Sequence, residues 1–586
     1  MCSIIGYSGN ERAAPIIVKG LKRMEYRGYD SVGVATESDN QIELKKGTGK
    51  VEEVNSKIHL EVLPGKIGIG HTRWATHGKV TDTNAHPHPS TSGKIAIVHN
   101  GIIENFQELK TKLENEGYQF KSDTDSEVIA NLLQKNYEEI KNIKETIIKT
   151  VSELQGHYSF VAMFENGQLA AARFHEPLII GVGKNEFFLS SDVLGFIEYT
   201  DDAIYLDNRN FVIIDNNKIQ ILDFEGSPVK LEVTKVSKEF ADAYKGDYAH
   251  FTLKEIYEQN ETILSAGEKT TESIEKTADY IKHAKNVFVT GSGSSYNSAL
   301  IAKQIFSKYA KIKLESIISS ELQFSPDSIE PNSILIAISQ SGESADVLDA
   351  VNIAKQKNCK IISIVNLLTS SLARESDVVI GMNCGPEIGV AATKSFTSQL
   401  AILFKIVEKL SNGELKIDFK EISSSVSKIL ENPSKIQHIA KDIKNISDIY
   451  ILGRGIHYPI AIEAALKLKE LTYIHAEGIP GGELKHGPLA LMDSNVFVII
   501  INPKDITYSD TLTSAREIKA RGAKIIGISD EESDVYDYLI KIPKTNEISY
   551  LISEIIPIQL LSYYAALEKE TDPDYPRNLA KSVTVK

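Results

Sequence analysis

The sequence predicts an α/β protein of several domains, and three observations predict it. The first is length: 586 residues exceed what one hydrophobic core serves, and at about 150 residues per domain they suggest three or four. The second is a duplication. Val287-Phe288-Val289-Thr290-Gly291-Ser292-Gly293 aligns with Ile449-Tyr450-Ile451-Leu452-Gly453-Arg454-Gly455, and Tyr296 falls on Tyr458. In the same register residues 333–339 fall on 495–501, and 360–364 meet 524–528 two residues later. The third is that these runs are continuous and β-branched and alternate with helical patterns, as buried parallel strands do.

Composition excludes several classes. Apolar residues at 42% and charged residues at 25% are those of a soluble globular chain. Lys plus Arg number 65 against 79 for Asp plus Glu, and the net charge of −14 opposes nucleic-acid and anionic-membrane partners. No run approaches 18 apolar residues and the start lacks a basic segment before an apolar one. Neither a membrane helix nor a signal peptide is therefore expected, and the cytoplasm is. Three scattered cysteines (Cys2, Cys359, Cys384) make neither a disulfide framework nor a thiolate zinc site, and Pro87 interrupts His86 and His88. No metal or redox cofactor is expected.

Residues 2–235 read as one domain of short strands with helices between them. Pro15 opens a helix through Ile17, Leu21 and Met24 that stops near Gly28. Strands are expected at 32–35, 66–70 and 94–98, with more after Tyr158. Thr124-Asp125-Ser126-Glu127 is a capping-box pattern that would set Asp125 in the first turn of a helix through Ile129, Leu132 and Leu133. Cys2 reads two ways. It is a small apolar residue opening a buried strand with Ile4 and Ile5, or, with Met1 removed, a thiol beside a free α-amine. That amine's ordinary pKa of roughly 7.7–8.0 suits it to act as the base.

Three polar clusters follow the expected strands: His71-Thr72-Arg73-Trp74-Ala75-Thr76-His77-Gly78, His99-Asn100-Gly101 and Asp123-Thr124-Asp125. Each has a structural alternative, since Asn-Gly marks tight turns and Arg-Trp pairs stack. Together they supply what amide hydrolysis by a cysteine needs. Arg73 offers a fork for a carboxylate and Asp125 a partner for an ammonium. The Asn100 amide and the Gly101 N–H can face a developing oxyanion. An Arg with an Asp implies that the substrate is itself an amino acid.

With Met1-Cys2-Ser3-Ile4, Tyr26-Arg27-Gly28-Tyr29-Asp30-Ser31, Asn84-Ala85-His86-Pro87 and the three clusters, this part resembles the class II glutamine amidotransferases. These are N-terminal-nucleophile hydrolases with an αββα sandwich. The resemblance implies that Cys2 attacks a glutamine amide with its own amine as base, and that Asn100 and Gly101 form the oxyanion hole. It implies that Arg73, Trp74, Thr76, His77 and Asp125 bind glutamine, with Trp74 gating the ammonia. Where the family usually has Gly after the cysteine, this chain has Ser3.

Residues 236–265 read as a linker and a connecting helix, and the duplicated half as domains at 275–415 and 435–575 with a tail at 576–586. The copies differ at their strand ends. Copy one has Gly293-Ser294-Ser295 and Ser339-Gln340-Ser341-Gly342-Glu343-Ser344; copy two has Gly455-Ile456-His457 and Ile501-Asn502-Pro503-Lys504. Hydroxyls and bare N–H groups at strand-to-helix turns cradle phosphate, although one Ser-rich loop alone is an ordinary turn. Two in one copy favour a single phosphorylated ligand per chain, and the absence of G-x-G-x-x-G disfavours a dinucleotide. After Gly455, Ala461, Ala464, Ala465, Leu468 and Leu471 form a helical apolar stripe, with Lys467 and Glu470 surface neighbours. Such a pair is a solvated salt bridge or a functional pair, and a glycine-rich loop holding His486 follows. Lys581 in the tail could bring an amine to a carbonyl; the alternative is a docked terminal strand.

Ser339–Ser344, Ile474-His475-Ala476-Glu477, the run from Gly482 to Pro488 and the tail from Pro576 to Val585 make this half resemble two sugar isomerase (SIS) domains, flavodoxin-like parallel sheets, behind a class II amidotransferase. The resemblance implies that Ser294, Ser295, Ser339, Gln340, Ser341, Ser344, Val390 and Ala392 bind a sugar phosphate; Ala392 stands where the family commonly has Ser. It implies a Schiff base on Lys581, proton transfer by Glu470 assisted by Lys467, and ring opening by His486 reaching across a homodimer. Implied substrates are glutamine and fructose 6-phosphate, giving glutamate and glucosamine 6-phosphate through channelled ammonia, the first step of hexosamine biosynthesis. A different sugar-phosphate acceptor, or a sugar-phosphate-binding regulator, is the rival reading.

Overall fold

The computed structural model describes residues 2–230, 232–236 and 245–584. They form two compact units, one of residues 2–236 with 580–584 and one of residues 245–579. Of the expected linker and helix at 236–265, residues 237–244 lie outside the described residues. From Phe251 on the chain forms two helices, Phe251–Tyr257 and Gln259–Glu268, parted at Glu258.

The first unit holds two antiparallel sheets face to face. In the eight-stranded sheet the central strand Ser3–Ser8 lies between Glu186–Ser190 and Ile67–Arg73, with Ser31–Ser38 beyond. In the six-stranded sheet Ile95–Ile103 pairs with Gly156–Phe164. The period-2 alternation of strands explains the layers. Ile4, Ile69, Ala96, Val98 and Val161 meet between the sheets. Ile5 and Tyr7 point outward to the helix Ala13–Arg23, while Ile95 and Ile97 point to the helix Glu127–Ile140 on the other side. Helix, sheet, sheet, helix is the order of layers.

Two local expectations are corrected. The first two polar clusters do not begin where the strands stop. His71, Thr72 and Arg73 are strand residues, Thr72 paired with both Ser3 and Val32, and His99, Asn100 and Gly101 pair with Phe160, Ser159 and Tyr158. His71 Nε2 meets Asn100 Oδ1 at 3.1 Å inside the sandwich, so polarity does not end the ladder. Asp125 is not in the first helical turn, which begins at Glu127. The Glu127 carboxylate reaches further back than a capping box would, accepting from the Lys121 and Ser122 N–H groups and the Ser122 hydroxyl.

The second unit contains two five-stranded parallel sheets of the same order. The first runs Leu314–Ile318, Val287–Gly291, Ile334–Ser339, Lys360–Val365, Val378–Gly381; the second runs His475–Pro480, Asp448–Gly453, Phe497–Ile501, Lys524–Ser529, Tyr538–Lys541. This 2-1-3-4-5 order is doubly wound, and its ligand crevice lies at the carboxyl ends of the first and third strands, where the winding reverses. The strands are apolar throughout because both faces are covered: Val287, Val289 and Ile336 face one core, Phe288 and Leu335 the other. The helix Glu547–Glu568 is long and apolar enough to cross a membrane by length and composition, but 89% of its apolar window is buried inside the protein. It is the core helix of this unit, packed against the helices Phe419–Leu430, Ser434–Ile443 and Tyr458–Thr472.

Candidate functional site

In the first unit the chemistry collects around Cys2, immediately before the central strand. Its Sγ accepts the Trp74 N–H at 3.2 Å. Burial pushes its thiol pKa up, against the pull of that N–H and of Arg73, so the thiol needs a base to become a nucleophile. The Asn100 amide donates to the Cys2 carbonyl at 3.2 Å. His71 orients that amide: its Nε2 lies 3.1 Å from Asn100 Oδ1 and 2.9 Å from the His99 carbonyl. Both partners are acceptors, so Nε2 carries the proton. Burial lowers the His71 pKa to about 3, and the ring is neutral. Asn100 and His71 come from facing strands of the two sheets, which is why sequence separation hid their contact.

Gly101 has φ +108°, and a Cβ there would lie 2.0 Å from the His157 carbonyl oxygen. No other residue fits that ladder position without strain. Ser3, the departure from the family pattern, is fully buried and donates from Oγ to the Met24 carbonyl at 2.8 Å. The hydroxyl is thereby accommodated beside the nucleophile.

Arg73 is buried and donates to the carbonyls of His77, Gly78 and Lys79, so the loop from Trp74 to Lys79 folds around the guanidinium. Asp30 accepts the Ala75 N–H at 2.8 Å and holds the same loop. Trp74 is half-buried, Thr76 exposed, and His77 packs edge-on against Phe106 at 5.6 Å. Asp125 is buried, its Oδ2 accepting the Ile103 N–H at 2.8 Å; it therefore braces the strand that carries Asn100. Around these residues the His71 and His86 rings stack at 4.1 Å, His88 meets His86 edge-on at 4.5 Å, and His99 Nδ1 meets Ser126 Oγ at 2.8 Å. This buried histidine layer was not legible as a unit in the sequence.

In the second unit the two Ser-rich loops stand at the ends of Val287–Gly291 and Ile334–Ser339, which pair directly. Ser294 and Ser295 open the helix Ser294–Ile305; Ser295 Oγ accepts from Gln399 Nε2 at 3.1 Å. In the other loop Ser339 Oγ accepts the Gly342 N–H at 3.0 Å and lies 3.2 Å from Ser344 Oγ, while Ser341 Oγ accepts the Glu343 N–H at 3.2 Å. The Gln340 carbonyl accepts the Asn366 N–H. Ser344 stands at the N-cap position of the helix Ala345–Gln356, its hydroxyl turned to Ser339 Oγ rather than to a helix N–H. Two helix N-termini lined by hydroxyls thus meet at the winding reversal, where an anion is favoured. Val390 is buried, with its N–H donated to the Asp574 carbonyl, and Ala392 is half-buried.

The helix Tyr458–Thr472 supplies an acid–base pair. Lys467 is fully buried, its Nζ 2.5 Å from Glu470 Oε2 and 3.5 Å from Glu463 Oε1. Burial alone would lower the Lys467 pKa, but Glu470 and Glu463 outweigh it and hold the ammonium above its ordinary value. The pair is therefore no solvated salt bridge. Glu463, also fully buried, accepts from Ser294 Oγ at 2.8 Å and Asn297 Nδ2 at 2.7 Å. It joins the first phosphate-type loop to Lys467. Sequence reasoning missed Glu463, although its place four residues before Lys467, on one helix face, could have found it.

His486 is exposed on the turn Leu484–His486, and among the described residues no hydrogen bond or ion pair joins it to Lys467 or Glu470. Lys581 is half-buried and grouped with the first unit. The tail passes from one unit to the other after Leu579, and the Thr584 hydroxyl donates to the buried Glu176 carboxylate at 2.6 Å.

Comparison with known proteins gives consistent matches. A family profile described as "Glutamine amidotransferase domain" matches residues 71–197, and "SIS domain" matches residues 280–407 and 442–569. The chain is 43% identical to the glutamine–fructose-6-phosphate aminotransferase [isomerizing] of Pyrococcus horikoshii over 599 residues, covering 100% of both chains. The equivalent protein of Thermococcus kodakarensis is 41% identical over 601 residues, again with 100% of both covered. Among solved structures, the C-terminal domain of the glucosamine-fructose-6-phosphate aminotransferase of Francisella tularensis is 35% identical with a TM-score of 0.53, covering 57% of this chain and 100% of that one.

Proposed function

The chain belongs to the glutamine–fructose-6-phosphate aminotransferase (isomerizing) family, and from that premise we propose that it converts fructose 6-phosphate and glutamine to glucosamine 6-phosphate and glutamate. Cys2, freed of Met1, attacks the glutamine amide while its α-amine takes the thiol proton. Asn100 and the Gly101 N–H receive the oxyanion, and Arg73, Trp74, Thr76, His77 and Asp125 hold the amino-acid end. The tetrahedral adduct collapses to a thioester as the C–N bond breaks, the α-ammonium returning its proton to the departing ammonia. Water hydrolyses the thioester to glutamate and the free thiol. Ammonia is kept from solvent, with Trp74 at its exit, because in water at neutral pH it would protonate and lose its nucleophilicity.

In the second unit Ser294, Ser295, Ser339, Gln340, Ser341 and Ser344 bind the sugar phosphate, with Val390 and Ala392 beside the sugar. His486 from a second copy of the chain opens the ring. Lys581 condenses with the C2 carbonyl, ammonia displaces it, and Glu470 moves a proton between C1 and C2 with Lys467 supporting its charge.

The observation that carries this reading is the Glu463 carboxylate. It bonds the Ser294 hydroxyl of the phosphate-type loop and lies against the lysine of the Lys467–Glu470 pair, so anion cradle and proton shuttle belong to one site. Two variants test it. Cys2→Ala should abolish glutamine use and leave conversion of fructose 6-phosphate to glucose 6-phosphate intact. Lys581→Ala should keep glutamine hydrolysis and stop synthesis. Glutamine hydrolysis surviving in Cys2→Ala would remove the nucleophile assignment, and synthesis surviving in Lys581→Ala the Schiff-base assignment.

A further inference from the structure

We propose that His457 is a positioning residue for the sugar-phosphate reaction: bridging Glu554 and Asp505, it fixes the angular setting of the helix Tyr458–Thr472 and with it Glu463, Lys467 and Glu470. The inference rests on the function proposed above. His457 Nδ1 lies 2.8 Å from Glu554 Oε1, and Nε2 lies 3.0 Å from Asp505 Oδ2. The side chains of His457 and Glu554 are fully buried and that of Asp505 nearly so. With a carboxylate at each ring nitrogen, both nitrogens donate and the ring is an imidazolium. Burial opposes that charge, but Glu554 and Asp505 hold the pKa at about 10. Asp505 is itself anchored, accepting the Thr507 N–H at 2.8 Å and its hydroxyl at 2.7 Å.

The place of this triad in the fold gives it meaning. By the internal repeat His457 stands where copy one has Ser295, and Asp505 where copy one has Glu343. In copy one the two positions are held by separate neighbours, Ser295 Oγ accepting from Gln399 Nε2 at 3.1 Å and Glu343 Oε1 accepting the Ser371 N–H at 2.7 Å. Copy two closes them on each other, filling the equivalent crevice with its own charges. The helix that starts at this triad is the one bearing the acid–base pair, and Glu554 lies on the core helix packed along it.

At its other end the same helix is held by Leu471, which packs with Ala566 and Ala391, and by the Thr571 hydroxyl donating to the Leu471 carbonyl at 2.6 Å. Pins at both ends resist roll about the helix axis. A side-chain tip rides about 5–6 Å from that axis, so a roll of about 10° moves it by about 1 Å. Misplacements of that size cost catalysis up to about a hundredfold. With the Leu471 end still held, loss of the His457 pin is expected to cost less.

The test compares His457→Gln with Glu554→Gln in the full chain. One glutamine amide cannot serve both carboxylates, so in His457→Gln kcat for isomerisation of fructose 6-phosphate should fall about tenfold, with KM for the sugar phosphate and glutamine hydrolysis unchanged. Glu554→Gln keeps an acceptor for Nδ1–H and should retain kcat, although both variants lose thermal stability. If His457→Gln fails to fold, His457→Gln/Glu554→Gln, which removes the uncompensated buried charge, takes its place with the same expected fall. Wild-type kcat in the folded His457 variant overturns the proposal, as does a fall in Glu554→Gln equal to that in the His457 variant. Crystal structures of wild type and variant add a readout independent of activity. A shifted helix Tyr458–Thr472 supports the inference even if the wild type makes no glucosamine 6-phosphate, whereas an unmoved helix refutes it.

Discussion

Acid should unfold the first unit through its buried histidines. His71 is fully buried with a pKa lowered to about 3, and burial holds His86 and His88 well below their ordinary range. Below about pH 6.5 the unfolded chain takes up a proton at each ring that the folded chain refuses. Stability from neutral burial is therefore full above pH 6.5 and is lost as pH falls toward the folded pKa. For His71 at pH 5 the gap is about 1.5 pH units, or about 2 kcal/mol. His86 and His88, held neutral by burial, act in the same direction. Trp74 is the only tryptophan of the chain, and its N–H touches Cys2, so its fluorescence reports this unit. With a urea slope of about 2 kcal/mol per molar, the His71 contribution alone should move the Trp74 transition down by about 1 M between pH 8 and pH 5, and His86 and His88 should move it further the same way. His71→Gln should recover about 1 M of that shift. A midpoint independent of pH would show that the rings are not buried neutral, and would remove the account of how Asn100 is oriented.

Two further outcomes are expected. Gly101→Ala places a Cβ against the His157 carbonyl and displaces the proposed oxyanion donors. Glutamine hydrolysis should fall at least about a hundredfold, and sugar-phosphate isomerisation should not change. Lys467→Met leaves Glu463 and Glu470 without their cation, which should cost about 3–5 kcal/mol of stability and end isomerisation, read by calorimetry and by conversion of fructose 6-phosphate to glucose 6-phosphate.

The sequence carried the larger divisions well, and particular residues explain why. The duplicated strands were legible because each is apolar on both faces, as Val287–Gly291 and Ile334–Ser339 are. The Ser-rich loops were legible because runs of serine and glycine break off the apolar strands Val287–Gly291 and Ile334–Ser339 in copy one and not at the matching places in copy two. The polar ends of Ile67–Arg73 and Ile95–Ile103 were expected to lie beyond the strands. Whether His71 and Asn100 continue a strand depends on their meeting across two sheets, and no local pattern encodes that meeting. Glu463 and His457 were missed for a related reason: their partners Ser294, Asn297, Asp505 and Glu554 lie far off in sequence. Buried charge is specified by tertiary partners, which periodicity does not record.

The central claim is that nitrogen from glutamine, released at Cys2, ends on the sugar. Purified protein given glutamine labelled with ¹⁵N at the side-chain amide, fructose 6-phosphate and excess unlabelled ammonium tests it directly by mass spectrometry. Glucosamine 6-phosphate carrying ¹⁵N, equal in amount to the glutamate formed, is the predicted result. Unlabelled glucosamine 6-phosphate, or glutamate with no amino sugar, would contradict it.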